Sequence, residues 1–149
     1  MFRSVKDMGQ SGTFPFLPTL VGFVAAQFTG YLWYGPLFGK TWLKAMKEQS
    51  PNMTIDQHDS NPIVVAGITW LTSSVCFSTL VHFWHGDSDN KKLGLAEYFC
   101  LAHTAWLGFS VPGHVFGHVF SEQHKTVCLL GASYSFTAYT CMALAHWML

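Results

Sequence analysis

The sequence predicts an all-α membrane protein, with four transmembrane helices in one bundle and both termini on one side. Half of its 149 residues are hydrophobic and 11% are charged, whereas a typical soluble domain is roughly 25% charged. The charged residues collect between long apolar runs, each with the 20 or so residues that cross a hydrocarbon core of about 30 Å. The four runs are 16–38, 63–83, 93–120 and 126–149.

The alternative is a soluble helical bundle, and the four runs argue against it. A helix on the surface of a soluble bundle carries a charged face, and none of the runs has one. The formal net charge of zero also argues against a nucleic-acid partner. We therefore expect residues 1–149 to form one membrane domain. Its expected partners are lipids and other membrane-protein subunits, or further copies of the chain.

The first run ends in a segment rich in aromatic residues, GYLWYGPLFGKTW at 30–42. Aromatic residues followed by lysines are typical of a helix that leaves the bilayer through the headgroup region. Because proline has no backbone N–H and disfavours a helical conformation in the preceding residue, we expect the chain to turn at Gly35–Pro36. The residues with predicted structural roles in this segment are Trp33, Tyr34, Pro36, Gly39 and Trp42.

The long connection at 41–61 is polar, and we expect it to lie in water. Its start, with Trp42, Leu43 and Met46, has the pattern of a short interfacial helix. The Lys and Arg residues divide evenly between the two predicted sides of the bundle. The positive-inside rule therefore assigns no orientation.

Small residues predict where the helices pack, because helices in lipid associate where small side chains let the backbones approach. The third run contains Gly113 and Gly117, a GxxxG pair that we expect to form a close helix contact. Small residues also recur at helical spacing in the second and fourth runs. These two predicted faces are Thr69, Thr72, Ser73, Cys76 and Thr79, and Gly131, Ser135, Ala138 and Ala145.

The third run ends in a repeated tetrapeptide, GHVFGHVF at 113–120. In a helix the repeat places His114 and His118 one turn apart on one face, and Glu122 follows at the next such step. Two imidazoles and a carboxylate in this arrangement are candidate metal ligands, with His124 nearby. The alternative is that these polar groups end the span and face water or headgroups.

Three further histidines, His82, His103 and His146, are weaker candidates for holding a cofactor. His82 and His146 lie near helix ends on one side, where facing helices could supply axial ligands to a haem. His103 lies deeper, and ionisable residues inside a membrane are candidates for a proton or cation path. Because water can solvate groups at helix ends, we predict that the chain alone binds no haem or tightly held metal.

Three segments resemble a known family. The run from Leu32 to Trp42 resembles the signature, roughly W-Y-x-P-L-F-G-x-x-W, of small four-helix membrane proteins grouped as family seventeen-sixty-one of the domains of unknown function. Trp106–Phe109 resembles the W-x-G-F run of the family's third span, and Tyr134 resembles the aromatic position of its fourth. The resemblance implies the fold and a membrane location, but no reaction.

The sequence contains no recognisable catalytic motif, so we expect no enzyme activity. Its small-residue faces and many aromatic residues favour a structural or accessory component of a larger membrane complex, such as an energy-converting one. The alternatives are a small carrier or channel for a proton, ion or small solute, and a histidine-ligated metal or haem protein. Apart from bound lipid, no cofactor is predicted. The expected location is an organelle inner membrane, such as the mitochondrial one, or the plasma membrane.

Overall fold

A computed structural model gives the fold and describes residues 14–51, 61–85 and 93–149. Residues 52–60 of the predicted polar connection lie outside the described residues. Within these ranges the chain forms α-helices and two π turns, and no strand. The elements are α1 (Phe16–Leu32), a first π turn (Trp33–Leu37), α2 (Gly39–Gln49), α3 (Asn61–His85), α4 (Leu95–Ala105), a second π turn (Trp106–Ser110), α5 (Val111–Phe120) and α6 (Lys125–Met148).

The contacts between α1 and α6 show that these two helices are antiparallel. Gly22, early in α1, lies against Met142 late in α6, and Gly30 lies against Tyr134 in the first half of α6. A Cβ atom at either glycine would meet the α6 side chain within 3.2 Å. Both glycines therefore allow α1 to approach α6 closely, as expected for helices that pack in lipid.

The other helices continue this alternation. α1 and α3 are antiparallel, since Thr19 meets Ser78 at one end and Gln27 lies beside Gly67 further along. α4, the second π turn and α5 form a segment that runs antiparallel to α6. His103 contacts Thr140, Trp106 contacts Ala132 and His114 contacts Gly131, so residue numbers rise along the segment as they fall along α6. Phe16 and Met148 thus lie at the same end of the bundle.

The central helix is α6, which packs against α1, α4 and α5. Its buried residues include the whole predicted small-residue face, namely Gly131, Ser135, Ala138 and Ala145. That prediction is confirmed. Met142 and Ala143 are fully buried on the same helix, so the core of the bundle lies along α6.

The predicted packing face of α3 is wrong. Thr69, Thr72 and Cys76 are exposed, and Ser73 and Thr79 are only half-buried. The buried residues through which α3 packs are Ser74, Phe77, Ser78 and Val81. The hydroxyls of Thr69, Thr72 and Thr79 each donate to the backbone carbonyl four residues earlier. These threonines need no partner helix, because each one satisfies its hydroxyl on its own helix.

The predicted GxxxG contact is also wrong. A Cβ atom at Gly113 would meet nothing within 4 Å, and one at Gly117 would meet only the Gln123 side chain from the adjoining connection. α5 instead approaches α6 through His114, whose ring lies over Gly131. The small residue at this contact is on α6, and the large one is on α5.

The chain turns at Phe38 rather than at Gly35–Pro36. Pro36 lies inside the first π turn, where the N–H of Phe38 donates to the carbonyl of Trp33 at 2.9 Å. This wider turn accommodates the proline, and helical geometry ends at Phe38, with φ −122° and ψ 6°. α2 then begins at once, as predicted for the start of the polar connection.

Among the described residues, three helices are long and apolar enough to cross a membrane: Phe16–Leu37, Val64–Trp84 and Lys125–Met148. The remaining predicted span, at 93–120, consists of α4 and α5 joined by the second π turn, with Pro112 in the first turn of α5. Backbone angles at both junctions are helical. The segment therefore continues as one rod that contains a π turn, a common cause of a local kink.

Candidate functional site

A cavity of about 430 Å³ lies between α3, the second π turn, α5 and α6. It lies toward the α2 end of the bundle, because Tyr34 from the first π turn also reaches it. Its walls combine aromatic rings, hydroxyl groups and one imidazole. The lining residues are Tyr34, Thr69, Trp70, Ser73, Phe109, Ser110, His114, Gly131, Tyr134, Ser135 and Tyr139.

Aromatic rings form one wall of the cavity and pack edge to face. The ring centroid of Tyr134 lies 5.3 Å from that of Tyr34 and 5.0 Å from that of Trp70. The ring centroid of Tyr139 lies 6.1 Å from that of Trp70. T-shaped pairs at these distances are favourable beyond their buried area, so the wall is pre-formed by contacts among three different segments.

Polar groups of the cavity are partly satisfied within the protein. Ser110 Oγ donates to Ser135 Oγ at 2.7 Å, and the Tyr134 hydroxyl donates to the carbonyl of Ala26 at 3.1 Å. The ring of His114 is half-buried. Among the described residues, none hydrogen-bonds a nitrogen of this ring, so the imidazole is available to a molecule in the cavity.

The charge of the cavity restricts what it can hold. Within the described part of the chain, no Asp, Glu, Lys or Arg lines it. Burying an unpaired carboxylate, phosphate or ammonium group costs far more than burying an uncharged polar group that finds a hydrogen bond. The cavity therefore suits an uncharged molecule with an aromatic or apolar body and a hydrogen-bonding oxygen or nitrogen.

The cavity is partly open to the outside of the bundle. Of its lining residues, Thr69 and Phe109 are exposed, which indicates an opening between α3 and the second π turn. Val65, Ile68 and Leu107 beside them are exposed as well, so an apolar surface surrounds the opening. A molecule dissolved in hydrocarbon could reach the cavity between α3 and the second π turn.

The three segments that carry the family resemblance converge on this cavity. Tyr34 comes from the first, Phe109 from the second and Tyr134 from the third. The first two segments coincide with the two π turns, a geometry that is rare in proteins and often occurs at functional sites. The resemblance therefore maps onto one place in the structure.

Neighbouring residues of these segments hold the lining residues in position. The Trp106 indole N–H donates to the carbonyl of Ala132 at 2.9 Å and fixes the second π turn against α6. Trp42 packs edge to face on Tyr34 with centroids 5.8 Å apart. The ring of Trp33 packs on the ring of Phe38, with centroids 4.8 Å apart. Its indole nitrogen is buried and has no hydrogen-bond partner among the described residues.

The predicted metal-ligand face is not assembled as expected. α5 ends at Phe120, and Glu122 has a positive φ of 51°, so Glu122 does not continue the face of His114 and His118. His118 Nδ1 lies 2.6 Å from the carbonyl of Gln123. In the described ranges, no group of three His, Cys, Asp or Glu side chains could hold a metal ion.

The other candidate histidines lie in different surroundings. His103 stacks on Phe136 with centroids 4.6 Å apart, and its Nε2 lies 3.3 Å from Thr140 Oγ1. His82 is half-buried, with its ring 6.0 Å from that of Phe83. His146 is buried, and the expectation that water solvates it is wrong.

His146 belongs to a buried hydrogen-bond network that joins α1, α3 and α6. Its Nδ1 lies 2.9 Å from the carbonyl of Met142, which can only accept, so Nδ1 carries a proton. Its Nε2 lies 2.9 Å from Ser78 Oγ. Thr19 Oγ1 donates to the same Ser78 oxygen at 2.6 Å, and Ser74 Oγ donates to the carbonyl of Thr19 at 2.7 Å. Hydroxyls on neighbouring helices thus replace water around His146.

Several lining residues were missed at the sequence level. Trp70, Ser110 and Tyr139 carry no motif, and no spacing along the chain distinguishes them from other aromatic or hydroxyl residues of the spans. The available signal was the set of three segments that resemble the family. Their convergence depends on the directions of α1, α5 and α6, which a sequence pattern does not contain.

Comparison with known proteins identifies the family. No solved structure matches the chain. No curated protein matches it either. One family model covers nearly all of the described helices, from early α1 to late α6. The match over residues 17–147 shows that the chain belongs to the family described as "Protein of unknown function (DUF1761)".

Proposed function

We propose that this protein is a small membrane carrier or receptor that binds an uncharged amphipathic solute in the cavity between α3, α5 and α6. The observation that carries the proposal is the convergence of the three family-like segments on that cavity. Pockets for small molecules are typically a few hundred Å³, largely aromatic or apolar, with a few polar groups, and they often lie between bundle helices. The cavity has each of these properties.

The proposal includes a fourth membrane crossing by the rod from Leu95 to Phe120. This rod packs along the apolar helix α6 in the opposite direction, and its exposed side chains include Leu107, Phe109, Phe116 and Val119. Such a surface is suited to hydrocarbon. With this crossing, the opening of the cavity beside Thr69 and Phe109 would face lipid.

Binding can be tested with an uncharged aromatic ketone such as prodan, which has a planar ring and one carbonyl oxygen. We expect prodan to raise the unfolding temperature of the purified protein in detergent, because a ligand that binds only the folded state stabilises it. A sulfonated naphthalene of similar size should give a smaller shift, since its charge finds no partner among the lining residues.

Two substitutions on α3 form a matched test of the site. Thr69 lines the opening and Thr72 does not, although both are exposed and both donate to their own helix. Thr69→Trp should fill the opening and abolish the prodan shift, while Thr72→Trp should retain it. Equal shifts in the two variants, or no shift in the wild-type protein, would contradict the proposed site.

His114 is the proposed hydrogen-bonding residue for the ligand. His114→Phe keeps a planar ring over Gly131 but removes both nitrogens, so it should weaken prodan binding by roughly the value of one hydrogen bond, about 1 kcal/mol. His118→Phe is the control, because His118 is absent from the lining. A larger loss in His118→Phe than in His114→Phe would argue against this role.

A second candidate function, an accessory component of a larger membrane complex, is favoured by the outward face of α3. Thr72, Cys76 and their neighbour Val75 are exposed, so the small residues of this face are free to meet a helix of another subunit. Cys76→Trp should release the protein from such a complex, as measured by native gel electrophoresis in mild detergent. A wild-type protein that migrates as a monomer would contradict it. Organelle inner membrane and plasma membrane are both compatible with either function.

A further inference from the structure

α2 connects the ends of two helices that are long and apolar enough to cross a membrane. It begins two residues after the apolar segment Phe16–Leu37. Its last turn is tied to the start of α6, where Gln49 Oε1 accepts from the N–H of His124 at 3.1 Å, and Glu48 Oε2 lies 3.3 Å from His124 Nε2. Ala45 is buried where α2 packs on α6.

These attachments place α2 at the membrane surface. Both of its ends are held at the same end of the bundle, where α1 leaves and α6 enters the apolar region. Its 11 residues span about 16 Å at 1.5 Å per residue, which is short enough to remain near the level of the headgroups. Exposed Leu43 and half-buried Trp42 are side chains that favour such an interface.

Lysines occupy the face of α2 that points away from the bundle. Lys40, Lys44 and Lys47 are exposed and follow at the spacing of one helix face. With Leu43 and Glu48 they line a surface groove of about 460 Å³. Glu48 lies 4.0 Å from Lys44 and also contacts His124. Among the described residues, Lys40 and Lys47 have no carboxylate within ion-pair distance.

We propose that this groove binds the phosphate headgroup of an anionic lipid. Lys40 and Lys47 would contact the headgroup oxygens, while Leu43 between them would contact the upper part of an acyl chain. The inference rests on charge complementarity and on the position of α2, and it is independent of the cavity. Lysines near a membrane surface each contribute roughly 1 kcal/mol toward anionic lipid, or about fivefold in affinity.

The test compares lipids retained by the purified protein in native mass spectrometry, after exposure to phosphatidylglycerol or phosphatidylcholine with the same acyl chains. We expect the wild-type protein to retain phosphatidylglycerol preferentially, and the preference to fall with added salt. The double variant with Lys40→Gln and Lys47→Gln should have a preference for phosphatidylglycerol that is lower by about tenfold or more. The matching double substitution to Arg should retain it.

Lys125→Gln is the control, since Lys125 is an exposed lysine at the same end of the bundle but outside the groove. An equal loss of preference in Lys125→Gln and in the Lys40/Lys47 double variant would overturn the proposal, as would equal retention of the two lipids by the wild-type protein. Displacement of phosphatidylglycerol by millimolar inorganic phosphate would also overturn it, because the ligand would then be a soluble phosphate. The altered position is exposed in every variant, so we expect each variant to fold. Its unfolding temperature checks this.

Discussion

At the scale of single residues, Gly39 shows how closely the first π turn approaches α2. An ideal Cβ atom at this position would lie 2.7 Å from the carbonyl oxygen of Tyr34. The contact is with backbone, which cannot rotate away as a side chain can. Gly35, four residues earlier in the π turn, has nothing within 4 Å of its Cβ position. The two glycines therefore have different roles although both belong to one short segment.

We expect Gly39→Ala to destabilise the protein by about 1–3 kcal/mol, the usual cost of overfilling a packed site. The added methyl group would push the first π turn away from α2 and displace Tyr34 from the cavity. Gly35→Ala should be close to neutral. The comparison requires unfolding temperatures of both variants in one detergent; a Gly39→Ala protein as stable as Gly35→Ala would refute the steric argument.

Ser78 is the residue through which His146 contacts both α1 and α3. We expect Ser78→Ala to cost about 1–3 kcal/mol, because it removes the hydroxyl beside the buried His146 Nε2, whereas Thr19 Oγ1 keeps the carbonyl of Pro15 as acceptor. Thr72→Ala on the exposed face of the same helix should cost less. Denaturant unfolding followed by tryptophan fluorescence would measure the difference. If Thr72→Ala is the more damaging change, the network contributes little to stability.

At the scale of secondary-structure elements, the faces of α3 and α6 show what a membrane sequence can predict. On α6 the small residues are Gly, Ala and Ser, and they mark the buried face correctly. On α3 most of the predicted face was Thr, and it was wrong because each Thr hydroxyl can bond to its own helix and still face lipid. Hydropathy does not predict which face of a membrane helix is buried, because the lipid-facing and buried faces are both apolar.

The contact between α5 and α6 gives a prediction at this scale. A Cβ atom at Gly131 would lie 2.5 Å from Cε1 of His114, so Gly131→Ala should displace the imidazole and loosen α5 from α6. Gly113→Ala is the matched control on α5, because that position is open. We expect a lower unfolding temperature and weaker prodan binding for Gly131→Ala alone. Similar losses in both variants would show that the His114 contact is not specific.

At the scale of the whole molecule, the all-helical fold of the described residues and three helices long and apolar enough to cross a membrane followed from hydropathy, because length and apolar character decide which segments can cross. Tyr34 and Tyr134 were recognised through the family resemblance, but the cavity between them was not. Its position depends on which helices are antiparallel and on where two π turns interrupt them. The burial of His146 was missed for a similar reason, since its partners Thr19 and Ser78 lie on other helices.

The alternation of the helices predicts which residues are reached from each side of the membrane. If the rod Leu95–Phe120 crosses the bilayer, cysteines at Gly94 and Lys125 should react with an impermeant maleimide from opposite sides. Lys44→Cys should react from the same side as Lys125→Cys, because α2 is tied to the start of α6. The experiment uses a variant without the native cysteines. Labelling of Gly94→Cys and Lys125→Cys from one side would exclude the fourth crossing.

The position of α6 in the chain has a consequence for biosynthesis. A ribosome makes α1, α3 and α4 before α6, although α1 and α4 each pack mainly against α6. Until α6 is inserted, Ser78 lacks His146, and α1 lacks the residues that fit against Gly22 and Gly30. We therefore expect the earlier helices to associate only loosely before α6 is made, held mainly by the α1–α3 contacts at Thr19. A chain terminated before Lys125 should be degraded rapidly in a pulse–chase experiment, and a long-lived fragment would show that the first helices assemble without it.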